Sequence, residues 1–501
     1  MIRTRRQDRM PGIIISLIVL FIECAFIGLL FYTKFLSAKF IGAIVLVLFL
    51  LLMIIYLLVR KVRKIVPFVI GVIFAVCLAG AIAIASVYIY KTVSTLNTIT
   101  LENSGNIKTA EINIYVKNED AAQDLEDAKG YTFGILKELD RDNTDGALQQ
   151  IYDRIGNDVQ IKEYADLTQL ADSLDSGASG AIIMNHAYVD VLNEMDRYTS
   201  FSSSIRDIES FHVESVVEQK VPKENISVGE SGVTDEIYTI YLSGIDTREE
   251  MTSSSRSDVN IILTINTRTK QILMISTPRD YFVPLSISDG VPDKLTHAGI
   301  YGVNVSMDTL DMLYDINIDY YFRLNFGGFV KIIDALGGII VNSDYEFDSK
   351  NITGYHFNKG ENIVNGEQAL VFSRERYAFK EGDRQRGRNQ MAVIQGVVNK
   401  VTQPSILKNY LSVLDSLSGC FETSIPYDLI ASLVRQQLDE GGRWEVLTYS
   451  VDGTGDTQKP YSMSSKAYVM IPDQNTVDHA KKLMKKVRKG DMLSEADVSV
   501  Q

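Results

Sequence analysis

The sequence is poor in the residues that build metal centres and covalent staples. Its 501 residues include only three cysteines and five histidines. Cys24 and Cys77 lie in the apolar N-terminal region, which leaves Cys420 alone in the rest of the chain. No disulfide can therefore close within the soluble part, and its cores have to suffice, as its size permits. His186, His212, His297, His356 and His479 are scattered, with none at zinc-ligand spacing. Net positive charge is absent too. The formal charge is −13, which argues against a general attraction to DNA or RNA. Any anion this protein binds must be gripped by a local basic pocket.

Long apolar runs, by contrast, are plentiful at the start. Ile13 to Tyr32, Phe40 to Val59 and Val66 to Tyr90 each supply the ~20 residues that cross a hydrocarbon core as a helix. Three such runs in succession do not fit a cleaved signal peptide. Arg3, Arg5, Arg6 and Arg9 precede the first, and Arg60, Lys61, Arg63 and Lys64 separate the second from the third. Only Lys34 and Lys39 lie in the first connection. This bias puts residues 1–12 in the cytoplasm and everything after the spans (13–90) outside the cell. Glu23 falls mid-span, and the plain expectation for it is a protonated carboxyl bonded to a neighbouring helix.

Residues 105–221 alternate short strands and helices, from a strand at Glu111–Val116 to a buried strand at Gly180–Met184 and a helix ending near Met195. That order predicts a small α/β accessory domain with a largely parallel sheet. It has no glycine-rich phosphate loop. Residues 222–235 are polar and read as a linker. A second domain is expected over 236–450, followed by a tail, 451–501, whose basic helix (Val477 to Lys489) is expected to be a solvated face.

The chemistry-bearing residues fall in the second domain. Three strands, Ile237–Leu242, Val259–Ile265 and Gln271–Ser276, suit an up-down-up meander. The end of the first, the start of the second and the end of the third would then share an edge, bringing Asp246, Arg256, Asp258 and Arg279 together. Carboxylates and arginines in such a group suit Mg²⁺ and a phosphate. A second cluster runs from Ser373-Arg374-Glu375-Arg376-Tyr377 to Asp383-Arg384-Gln385-Arg386-Gly387-Arg388-Asn389-Gln390 and opens a helix reaching Val401. Asp383 is the expected N-cap. Arginines in the first turn oppose the helix dipole, which makes sense where an anion sits there. Arg386, Asn389 and Gln390 share one face. The bland alternative is surface pairing of Arg374 and Arg376 with Glu375 or Glu381. Phe329, Ile332, Ile333 and Leu336 form an apolar stripe, by default core and more sharply the lining for a lipid chain.

In this order Gly244-Ile245-Asp246, Arg256-Ser257-Asp258, Pro278-Arg279-Asp280, Lys294-Leu295-Thr296-His297-Ala298, Asp334 to Gly338, Ser373 to Arg376 and Gly382 to Gln390 resemble the LytR–CpsA–Psr family, closest to its streptococcal-type capsule members. The resemblance implies an α/β fold. Behind three transmembrane helices and the accessory domain would stand an α/β/α catalytic domain with a central mixed sheet. It implies a phosphotransferase moving an anionic or capsular glycopolymer from undecaprenyl (pyro)phosphate to peptidoglycan at the membrane's outer face, with Mg²⁺ as cofactor. Asp246 and Asp258 would hold the metal, and Arg256, Arg279, Arg374, Arg376, Arg386, Gln390 and Lys294 would meet the phosphates. Arg279, Asp258 and Asp383 would act directly in catalysis, Asp383 by orienting Arg386 or activating the acceptor. Other capsule-synthesis proteins are further expected partners; nucleic acid is not. Two rival readings stay open on residues alone: a lipid pyrophosphate hydrolase, and a non-enzymatic regulator or scaffold.

Overall fold

The computed structural model describes residues 10–60, 64–102, 107–216, 237–245, 255–403, 421–463 and 465–499. Arg3, Arg5, Arg6, Arg9, Lys61, Arg63, the linker 222–235 and Asp246 lie outside the described residues.

Three apolar helices, Met10–Thr33, Ala38–Val59 and Ile65–Glu102, open the chain. All three are long and apolar enough to cross a membrane. The third has 38 residues, so at 1.5 Å per residue it overruns a ~30 Å core by several turns. Val19, Ile55, Val59 and Ala75 knit the three together. Glu23 is buried, but its Oε1 has no hydrogen-bond partner among the described residues, so the expected bond from that oxygen to a neighbouring helix is not formed.

The accessory domain is built on a five-stranded sheet: β1 (Ile107–Lys117), β2 (Thr132–Leu136), β3 (Gln160–Tyr164), β4 (Ala181–Asn185) and β5 (Ile205–Val216), in the order β3-β2-β4-β1-β5. Only β2 pairs in parallel, with β3 and β4; β1 runs antiparallel to both β4 and β5. The sheet is thus mixed rather than largely parallel. The reason lies in β1, which runs antiparallel to β4, and β5 then returns antiparallel beside it and pairs along its length.

The second sheet carries the site. The meander forms as expected, as β6 (Ile237–Ile245), β7 (Val259–Asn266) and β8 (Gln271–Ser276). Strand Tyr320–Asn325 adds parallel to β6 and Glu445–Ser450 parallel to β8, while Phe421–Thr423 closes one edge antiparallel. A sheet mixed in this way needs helices over both faces. On one side Val477, Ala480, Leu483, Met484 and Val487 of helix Gln474–Arg488 share a core with Tyr241, Ile262, Leu273 and Ile275. That helix, expected to be a solvated tail, has its apolar side buried in the domain, and the boundary drawn at 450 falls inside a packed core. On the other side Met391 of helix Asp383–Val401 packs with Tyr238, Ile261 and Met274.

A smaller apolar unit adjoins this helix. Ile333 and Leu336 are buried with Ile339, Val341, Phe347, Phe357, Val364, Phe372 and Val393. Phe329 and Ile332 pack partly buried against them. The stripe is core.

Candidate active site: an arginine-lined cleft

The start of β7 is pinned by its neighbours. Asp258 N donates to Gly244 O at 2.8 Å, and Ser257 N to Thr296 O at 3.1 Å. Beneath them the Tyr241 hydroxyl lies 2.8 Å from Ser257 Oγ and donates to Asn260 Oδ1 at 2.7 Å. This buried polar set fixes the backbone from which Asp258 projects. Arg279 follows β8 at the same edge, as the meander requires. Its Nη1 donates to Asp258 Oδ1 at 2.9 Å, and its Nε lies 3.6 Å from Asp280 Oδ2.

Helix Asp383–Val401 crosses this edge closely because residue 387 is glycine. A Cβ there would lie 2.6 Å from Ser276 Oγ. The cap is Gly382, at φ 48 and ψ −114, not Asp383, which is the first residue inside the helix. Gly382 adopts a conformation that side-chain-bearing residues avoid. Asp383 turns instead to the arginines, with Oδ1 3.3 Å from Arg386 Nη2 and 3.5 Å from Arg376 Nη1.

The segment between helix Gly366–Arg374 and helix Asp383–Val401 is shaped by Glu375, which is fully buried. Its Oε2 accepts from Ser349 Oγ (2.6 Å), Lys350 N (2.7 Å) and Asn351 N (3.0 Å). Its Oε1 accepts from Arg376 N and Ala378 N, both at 3.0 Å. Burial raises its pKa, but these donors outweigh that and leave the carboxyl below its ordinary value. Glu375 is therefore a loop organiser and not the side-chain partner of Arg374 or Arg376. Arg374 lies over the Phe326 ring, 4.6 Å from its centroid, and Arg376 donates to Tyr377 Oη at 2.7 Å.

The outcome is one open cleft with about 660 Å³ of empty space, part of it open to solvent. Asp258, Arg279, Arg374, Arg376, Arg386 and Gln390 line it, with Phe326, Asn351, Ser373 and Tyr377. Residues more than 100 positions apart in sequence thus meet. Four guanidinium groups against one carboxylate leave an excess of three positive charges along the lining, inside a chain whose formal charge is −13. Burial raises the pKa of Asp258, but Arg279, Arg256 and Arg386 override it and hold the carboxyl below its usual value. Arg386 is pulled below the ordinary guanidinium value by burial, with Asp383 opposing. It stays charged at any physiological pH.

Other expected site residues do not line the cleft. Arg256 pairs with Glu194 and Asp190 of the accessory domain. Lys294 meets Glu194 Oε2 at 2.7 Å and Asp280 Oδ1 at 3.4 Å. Arg384 pairs with Asp452 at 2.7 Å and Arg388 with Glu381, so only Arg386 of the three first-turn arginines reaches the lining. Asn389 is buried and donates to Phe372 O at 3.0 Å. His297 is a buried structural group, its Nδ1 2.7 Å from Asp293 Oδ1.

For a divalent cation the described part of the donor set is Asp258. Its hydrogen bonds, from Arg279 and from Thr296 Oγ1 at 3.3 Å, both fall on Oδ1. Oδ2 makes none with the described residues, which leaves one carboxylate oxygen open to a cation, but no group of three or more His, Cys, Asp or Glu among the described residues could hold a metal ion.

Reasoning from sequence missed Glu194, Phe326 and Asn351, and gave Asp280 no role beyond its place in the motif. Burial raises the pKa of Glu194, but Lys294, Arg256 and Arg279 draw it down to about 2.

Residues 198–486 match the model of the LytR_cpsA_psr family. A polyisoprenyl-teichoic acid–peptidoglycan teichoic acid transferase, TagU, of Enterococcus faecalis is 34% identical over 225 residues, which are 44% of this chain and 72% of that protein. TagU of Bacillus subtilis is 29% identical over 259 residues, 52% of this chain and 80% of that one. A crystal structure of B. subtilis TagV aligns at 26% identity and a TM-score of 0.43, covering 52% of this chain and 99% of that chain.

Proposed function

The chain belongs to the LytR_cpsA_psr family, and on that premise we propose that it is a transferase that moves an anionic or capsular glycopolymer from an undecaprenyl (pyro)phosphate carrier to peptidoglycan. The work is done on the outer face of the membrane, with the N-terminus cytoplasmic and everything after the third span extracytoplasmic. The relatives named as teichoic acid–peptidoglycan transferases support the class of reaction. One observation carries the reading: Asp258, Arg279, Arg374, Arg376, Arg386 and Gln390, from separate segments, line one cleft.

A diphosphate headgroup matches the excess positive charge of that cleft, and guanidinium forks suit its oxygens. Phe326 offers an apolar wall where the lipid would leave the headgroup. The acceptor hydroxyl forms a bond to the sugar-proximal phosphorus. The bond from that phosphorus to the polyprenyl phosphate oxygen breaks, polyprenyl phosphate departs, and the hydroxyl proton passes to water. Such a reaction asks for positioning and for charge to meet the phosphoryl oxygens. Arg279, Arg374, Arg376 and Arg386 supply the charge. Asp383, set between Arg376 and Arg386, orients both. Asp258 and Asp246 would hold Mg²⁺, which would supply further positive charge to the phosphate.

The test is transfer by purified protein from a lipid-linked glycopolymer to peptidoglycan. Arg279→Ala and Arg374→Ala each lower the rate by roughly 10²–10³-fold, the scale for losing one donor to a developing anion. Transfer at the wild-type rate by both variants ends the proposal.

A further inference from the structure

Glu194 lies outside the 198–486 stretch that matches the family, in the accessory domain just after helix Ala187–Asn193. Its carboxylate nevertheless reaches three cations of the second domain. Arg256 Nη1 is bonded to Oε1, Arg279 Nη2 lies 3.4 Å from the same oxygen, and Lys294 Nζ lies 2.7 Å from Oε2. Asp190, one helical turn earlier, takes the other end of Arg256 at 3.3 Å. All three cations are largely buried, Lys294 at 5% side-chain exposure and both arginines at 15%. Charges held that far from water need a fixed partner.

Arg279 is the member that lines the cleft. Two hydrogen bonds hold it, from Nη1 to Asp258 and from Nη2 to Glu194, while its Nε lies 3.6 Å from Asp280 without a hydrogen bond. Remove one grip and the guanidinium plane can rotate away from the phosphate it is meant to meet. We infer that Glu194 is a positioning residue of the catalytic centre, supplied by the accessory domain to set Arg279, so that the two domains make one active site. This rests on the transferase reading above.

Glu194 is not a mobile plug that substrate displaces. The segment carrying it is locked by apolar packing, with Tyr188, Val191, Leu192 and Met195 in one core with Ile300, Met463 and Ala467 of the second domain. Ser465 Oγ also lies 3.1 Å from Met195 Sδ. Moving the backbone that carries Glu194 would open that core.

The experiment compares full-length wild type with Glu194→Gln, which keeps the shape and removes the charge, and with Glu194→Asp. Transfer is measured as kcat and KM. Phenylglyoxal labelling of arginines, read by peptide mass spectrometry, follows how tightly each guanidinium is held. The Gln variant should lose about 10–100-fold in kcat, the scale for removing an orienting partner, with KM within about threefold; the Asp variant should recover part of the loss. Arg279 and Arg256 should label several-fold faster in the Gln variant, while Arg374, an internal reference for the fold, labels at the wild-type rate. A kcat within twofold of wild type, or unchanged labelling at Arg279, overturns the inference. Faster labelling at all three arginines also overturns it, because the loss is then one of folding. Absence of transfer by the wild type sinks the functional reading instead, and the labelling still decides the role of Glu194.

Discussion

Glu375 offers the sharpest test of how the cleft is built. Its two oxygens accept five hydrogen bonds, from Ser349, Lys350, Asn351, Arg376 and Ala378, at 2.6 to 3.0 Å. Four of the donors are backbone amides that have to be satisfied where they are buried. In Glu375→Gln one carboxylate oxygen becomes an NH₂ group. Whichever oxygen is replaced, at least two N–H or O–H donors then face a donor. Each donor left buried without a partner costs ~1–3 kcal/mol, so the variant loses about 3–4 kcal/mol. At ~2–4 °C per kcal/mol for a unit of this size, the melting midpoint falls by roughly 10 °C. Because Asn351, Arg376 and Tyr377 line the cleft, transfer falls as well. The assays are thermal unfolding of the detergent-solubilised protein and transfer below the melting transition. A midpoint within 2 °C of wild type would refute this account of the loop.

Four further outcomes follow from the same structure. Gly387→Val places a side chain where even a Cβ would lie 2.6 Å from Ser276 Oγ; pushing the helix from the sheet costs about 1–3 kcal/mol and withdraws Arg386, so transfer is lost together with a lowered melting point. Arg384→Ala removes only its pair with the partly exposed Asp452, costing under ~1 kcal/mol and leaving transfer intact, whereas Arg386→Ala lowers transfer by ~10²-fold or more; equal effects of the two would contradict the geometry. Glu194 has a folded-state pKa of about 2 against an ordinary 4.5. Its share of stability, ~3 kcal/mol at 1.36 kcal/mol per unit, is present in full above pH ~4.5 and is lost as pH falls toward 2, so the Gln variant should show a flatter acid limb in pH-dependent melting. Glu23→Gln keeps the buried shape in the span and should leave transfer unchanged; a loss would give this carboxyl a role that its surroundings do not suggest.

The parts of the molecule read correctly from sequence are those in which local pattern and tertiary outcome agree. Apolar runs of membrane length became the three long helices. The up-down-up meander brought Asp258 and Arg279 to one edge, and of the arginines crowding the first turn after Asp383, Arg386 reaches the cleft lining. Where the reading failed, the deciding partner was either distant in sequence or one of several local options. Nothing local says that Arg384 would find Asp452, 68 positions on, and nothing ranks Arg388 above Arg374 or Arg376 as the partner of Glu381. Asp383 looked like a cap, yet Gly382 takes the left-handed turn and frees the carboxylate for the arginines. The lysines of helix Gln474–Arg488 suggested solvent, although Val477, Ala480, Met484 and Val487 stand at three- and four-residue spacing and are buried. Glu194 was invisible for a simpler reason: its partners belong to another domain.

The central claim is that the lining arginines cradle the diphosphate of a lipid carrier. It is tested most directly by determining the structure of the full chain with undecaprenyl pyrophosphate bound. The account predicts phosphate density within hydrogen-bonding distance of Arg279, Arg374 and Arg386, with the lipid leaving past Phe326. Well-ordered phosphate density bound elsewhere, with the cleft between Asp258 and Gln390 left to solvent, would contradict it.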